Sequence, residues 1–141
     1  QGEARSQGVN VIMEEEARLN AGIAEALSRQ YAEQPQVFLD FLALLLESAL
    51  PRHVEVNRRR KLLGLDRPVD GLRVELGDYR FVVETARGVP RPQRIHLKQG
   101  IVHRTEALSM EDWVFALGVA LETHAERHPE TAKALRHFLR P

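Results

Sequence analysis

The sequence predicts an α+β domain: two N-terminal helices, a four-stranded antiparallel meander sheet, and two C-terminal helices packed on one sheet face. Three observations lead there. Apolar residues recur at helical spacing at both ends of the chain. Between them lie short segments in which apolar and polar residues alternate. Helical and extended segments are grouped and not interleaved, the order of a meander and not of a parallel α/β sheet.

From Glu14 onward, Leu19, Ile23, Leu27 and Tyr31 recur every four residues, behind three glutamates that suit the positive end of a helix dipole. Pro35 opens a second helix, "PQVFLDFLALLLESAL", apolar over most of its circumference, with Gln36, Asp40 and Glu47 on one polar stripe. Pro51 ends it. Residues 53–56, "HVEV", allow a short strand. "NRRRKLLGL" reads as one helical turn with Asn57 as cap and Gly64 as stop, and "DRPVDG" as a turn. "LRVEL" and "YRFVV" flank Gly77-Asp78, a two-residue hairpin turn of type I′ or II′. That register sets Leu76 against Tyr79, Val74 against Phe81 and Leu72 against Val83 on the core face, and Glu75 against Arg80 on the other. "GVPRPQ" reads as a proline-rich connection to a second hairpin, "RIHL" with "IVHR". Because Gln99 resists a positive φ, a three-residue loop over Lys98, Gln99 and Gly100 is expected. It puts Ile95, Leu97 and Ile101 on one face and His96, Val102 and Arg104 on the other, with His96 and Arg104 on the outward sheet face beside Arg73 and Arg80. Ser109 then caps a central helix through "WVFALGVAL", with Asp112 as a capping-box partner. Gly118, unfavourable inside a helix, points to a close backbone neighbour. His128-Pro129 breaks that helix, and Ala132, Leu135, Phe138 and Leu139 mark a short last one.

Length and composition bound the reading. A chain of 141 residues, 43% hydrophobic and 28% charged, suits one soluble domain with one core. Residues 13–141 are read as that domain. The opening Gln-Gly resembles the remnant of a cleavage site, so residues 1–12 are read as a tag or disordered leader. No apolar stretch is long enough to span a membrane, so no membrane partner is expected. There is no cysteine, which excludes disulfides and thiolate chemistry and fits the cytoplasm. Net charge is zero, yet residues 52–104 carry 13 basic and 6 acidic side chains while both flanks are acidic.

Catalytic signals are scarce. None of Ser6, Ser28, Ser48 and Ser109 lies in a GxSxG or SxxK setting, and no phosphate loop is present. His124 and His128 have the four-residue spacing of a metal pair, with Glu122 or His137 as further ligands after a fold-back. "HAERH" is not HExxH, however, and Pro129 biases His128 away from helical geometry. Histidines near a helix end are favoured there by the dipole alone. No cofactor, metal or catalytic residue is therefore assigned.

The basic middle is the other candidate. Residues 86–104 contain no acid. The surface assigned to docking is Arg58, Arg59, Arg60, Lys61, Arg73, Arg80, Arg87, Arg91, Arg94, His96, Lys98 and Arg104. Nucleic acid would need such a footprint. Against it stand the zero net charge, the absence of a recognition motif, and a register that turns Tyr79 and Phe81 inward and leaves no stacking platform. The sequence therefore favours a non-enzymatic protein-interaction or adaptor module, homodimeric, with the basic hairpin receiving an acidic protein. Its apolar helix 35–50 and residues 113–121 ask for cover from a second copy. Nucleic-acid binding is the alternative, and an enzyme with a spatially assembled site comes third.

Overall fold

A computed structural model describes residues 22–59 and 68–139. The leader assigned to residues 1–12, the helical start expected from Glu14 through Leu19, Arg60, Lys61 and the expected stop at Gly64 lie outside the described residues. Within them the order is α1 (Ile23–Glu33), a 3-10 turn (Pro35–Val37), α2 (Phe38–Ala49), β1 (Val54–Arg58), β2 (Val69–Leu76), β3 (Tyr79–Ala86), β4 (Val89–Lys98), β5 (Ile101–Ala107), α3 (Met110–Arg127) and α4 (Pro129–Phe138). The strands form one antiparallel sheet in the order β1-β2-β3-β4-β5.

The α+β architecture is as expected, but the sheet has five strands and not four. "HVEV" grows into β1, and Asn57, expected to cap a helix, pairs with Gly71 in the ladder. Val69 and Asp70, expected in a turn, already belong to β2. The first hairpin has the register read from its alternation: Leu76 opposite Tyr79, Val74 opposite Phe81, Leu72 opposite Val83 and Glu75 opposite Arg80. A positive φ at Gly77 and none at Asp78 makes the turn type II′.

The largest departure is β4. "GVPRPQ" is not a connection: β4 starts at Val89 and runs through both prolines. Arg87 (φ 54°) and Gly88 (φ 78°) form a type I′ turn between β3 and β4. The strand tolerates Pro90 and Pro92 because its pairing with β5 begins only at Gln93, so the earlier part is an edge. This turn sets Phe81 against Arg94 and Tyr79 against His96. Arg94, His96 and Arg104 therefore share the face that carries Phe81. Ile95, expected on the core face, lies on the other side with Arg80. The β4–β5 turn is also a two-residue turn and not the expected three-residue loop. Lys98 pairs with Ile101, and Gln99 takes φ 53°. A β-bulge follows, since Leu97 pairs with Val102 but His96 with Arg104, leaving His103 extra.

The helices cover part of the Phe81 face. Trp113, Leu117 and Leu121 of α3 are fully buried with Leu42, Leu45 and Leu46 of α2, Leu27 of α1 and Leu135 of α4. Trp113 packs edge-on against Phe81 and donates Nε1–H to the Gln93 carbonyl at 3.1 Å. Ser109 caps α3 by accepting from the Asp112 amide at 3.1 Å. Gly118 has the close neighbour its position implies: a Cβ there would fall 2.9 Å from the Ala24 Cβ and nearer still to its backbone. One turn on, Glu122 accepts from the Ala24 amide at 2.9 Å, supplying an acceptor to the first turn of α1, whose Gly22 has no capping side chain. Burial raises the Glu122 carboxyl above its ordinary range, the Ala24 amide acts against this, and the charges of Glu126 and Glu25 add to it.

Candidate functional site

The basic stretch does not assemble into one patch. Arg58 binds Glu47 at 2.6 Å, Arg80 binds Glu75 at 2.6 Å, and Arg94 and Arg104 share Glu106 at 2.9 and 3.4 Å. Arg73 and Arg59 lie 3.8 Å from Glu55 and 3.7 Å from Asp70. Arg73 and Arg80 occupy the outer sheet face, whereas Arg94, His96 and Arg104 occupy the helix side. Arg91 stands opposite Glu84. Arg87 and Lys98 sit at opposite ends of β4, separated by roughly 30 Å for a strand of this length. Surface pairs of this kind are ordinary solvated ion pairs that add little to stability.

What the structure does assemble is a cleft. Near its N-terminus α3 touches β4 through Trp113, and near its C-terminus His124 meets His53, just ahead of β1. The helix thus crosses the sheet obliquely and leaves the corner beyond Phe81 uncovered. A cleft of about 580 Å³ fills that corner. Leu76, Tyr79 and Phe81 form its floor, and Ala116, Val119 and Ala120 of α3 form its wall. Tyr79 has the facing expected of it, yet it stays 36% exposed because no helix reaches it. The Tyr79 ring stacks on His96 at 5.1 Å, and the Arg94 guanidinium lies 5.3 Å from its centroid.

Arg94 is the fixed charge of the floor. It makes one hydrogen bond, from Nη2 to Glu106, while its buried Nε has no partner. That hydrogen bond holds Glu106 below the usual carboxylate range against an opposing effect of burial, with the charges of Arg94, Arg104 and His96 adding to the lowering. At the other end the His124 and His128 rings stack in parallel at 3.9 Å, and His53 meets His124 edge-on at 5.3 Å. His128 leaves the helix, as Pro129 demands, with φ −135°. Burial lowers the His124 pKa, and His128 and His53 lower it further. Face-to-face imidazoles direct no nitrogen at a common point. Among the described residues no three His, Asp or Glu side chains form a metal-binding group.

Two exposed apolar side chains adjoin the cleft. Phe115 and Val119, one turn apart on α3, are 51% and 42% exposed, and Val119 stands at the rim where the cleft wall meets the outer side of the helix. Sequence reasoning missed them because "WVFALGVAL" is apolar at every position and so carries no phase. The cleft itself was invisible for another reason: it arises from a helix crossing angle. Among the described residues no helix is long and apolar enough to cross a membrane. No family model matches the chain, and neither a curated protein nor a solved structure matches it.

Proposed function

We propose that this chain is a protein-interaction module that acts by binding and not by catalysis, as a homodimer joined through the outer face of α3. The observation that carries this reading is the Phe115–Val119 ridge. Single exposed apolar residues are ordinary, but two large ones aligned beside an apolar cleft make a patch that association would cover. The ends of α3 support self-association. Its first turn holds Glu111 and Asp112, and its last turn holds His124 and Arg127. Two copies crossing antiparallel about a two-fold axis set Glu111 and Asp112 of each α3 against the last turn of the other, where Arg127 is the fixed positive charge beside Glu126. Helix α2 no longer asks for a partner, since Leu42 and Leu45 are fully buried within one chain and Leu44 is its one large apolar side chain that is more than half exposed.

Sedimentation equilibrium across a wide concentration range tests this. The wild-type chain should approach twice its 16.0 kDa mass. Phe115→Glu should be monomeric with unchanged far-ultraviolet circular dichroism. A wild-type protein that stays at monomer mass throughout sinks the proposal. A stable interface should bury at least about 1,000 Å² in total.

One observation favours the nucleic-acid reading: Tyr79, Arg94 and His96 form a partly exposed aromatic and basic group, the combination that single strands use. The in-chain pairing of the arginines weighs against it. Binding of single-stranded oligonucleotides tighter than about 100 μM at physiological salt, with a steep salt slope, would reverse the ranking.

A further inference from the structure

We propose that the cleft between α3 and the β2–β3 hairpin binds an apolar monocarboxylate, a small molecule with an acyl or aryl body and one carboxylate. This goes beyond the self-association reading and stands or falls without it.

Size comes first. At about 580 Å³ the cleft lies inside the range of small-molecule sites, roughly 300–1,000 Å³. Its surfaces are apolar: Leu76, Tyr79 and Phe81 below, Ala116 and Ala120 beside them. Those two alanines are one turn apart, and their small side chains keep the space open. An extended peptide would find no main-chain partner inside, because β3 is already paired with β2 and β4, and β4 with β3 and β5. Recognition must therefore run through side chains.

Charge selects the ligand's polar end. Among the described residues Asp78 is the sole acid lining the cleft, against the fixed charges of Arg94 and Arg127. Arg94 is the best placed to bind. It lies on the floor over the Tyr79 ring, which orients it, and it spends one hydrogen bond on Glu106. The side chain as a whole is 30% exposed, so part of the guanidinium stays open to a ligand, and its buried Nε shows that the chain itself does not satisfy it fully. A guanidinium fork matches a carboxylate. Because Glu106 already neutralises part of this charge, the complement is one negative charge and not two.

Octanoate and 4-phenylbutanoate serve as acyl and aryl probes, with octylamine as the cationic control, titrated into ¹⁵N-labelled protein. At least one of the two acids should saturably shift the amides of Ala116, Ala120 and Thr123 and the side-chain Nε–H of Arg94. Which acid binds tighter identifies the body of the ligand. Octylamine should leave these signals unmoved. Arg94→Gln should weaken binding by about tenfold or more, the loss expected for a charge-assisted contact. Ala120→Trp, which fills the cleft from the wall and leaves Arg94 intact, should abolish binding while the rest of the spectrum keeps its dispersion. The proposal is overturned by a lack of saturable shifts with either acid, by shifts confined to other surfaces, by octylamine binding as tightly as the acids, or by unchanged affinity in a folded Ala120→Trp protein. A monomeric chain that binds octanoate would remove only the dimer, and a dimer that ignores both acids would remove only the ligand site.

Discussion

Gly118 shows how one missing atom fixes the packing of two helices. In an exposed helix, replacing glycine by alanine gains up to about 1 kcal/mol. Here the added methyl would meet the Ala24 Cβ at 2.9 Å, with the α1 backbone behind it. Overpacking of this kind costs about 1–3 kcal/mol, so Gly118→Ala should be net destabilising. Urea denaturation measures it. A more stable Gly118→Ala protein would mean that α1 does not seat against α3 at this point. The sequence already carried the hint, since a glycine inside an apolar helix needs a reason. It could not say which segment supplies the neighbour, because Ala24 lies 94 positions away.

At the scale of elements, legibility followed turn chemistry. Gly77-Asp78 stands between two alternating runs, so a two-residue turn transmits phase from β2 to β3 and every cross-strand pair follows. The phase was lost at β4. Pro90 and Pro92 read as breakers, although an edge strand accepts them, and Arg87-Gly88 lacks the usual asparagine or aspartate of a type I′ turn. The error inverted the face assigned to His96 and Arg104 and hid the cleft residue Arg94. Gln99 is the same problem in reverse: the side chain resists φ 53°, and the fold imposes it. Gln99→Asn should therefore stabilise the β4–β5 hairpin by about 1 kcal/mol or less, because asparagine tolerates the left-handed region. Thermal denaturation of the variant decides. A lower midpoint would contradict a type I′ turn there.

For the whole molecule, folding resolves the charge asymmetry that the linear sequence displays. The acidic N-terminal third supplies Glu47 to Arg58 and Asp40 to the Val69 amide, and the acidic C-terminal third supplies Glu106 to Arg94 and Arg104. A basic segment therefore did not foretell a basic surface. Two of the resulting clusters make stability depend on pH with a definite sign. His124 is held below its ordinary value of 6.5, chiefly by burial, so the fold favours its neutral form. Its contribution is complete above about 6.5 and is lost as pH falls through the lowered folded value, where the unfolded chain binds the proton more readily. Glu106, held below its ordinary 4.5 by Arg94, acts in the same direction at more acid pH: its contribution is present above 4.5 and lost below. Glu122, raised above 4.5 by burial, acts in the opposite direction because the folded chain binds its proton first, so the His124 effect is read by comparison: between pH 7.5 and pH 5.5 the wild-type urea midpoint should lose more than that of His124→Gln. His124→Gln should leave the decline below pH 4.5, which belongs to Glu106, in place. A His124→Gln midpoint that falls as far as the wild type's between pH 7.5 and pH 5.5 would show that protonation of His124 costs the fold nothing, the reverse of what a partly buried imidazole stacked on His128 requires.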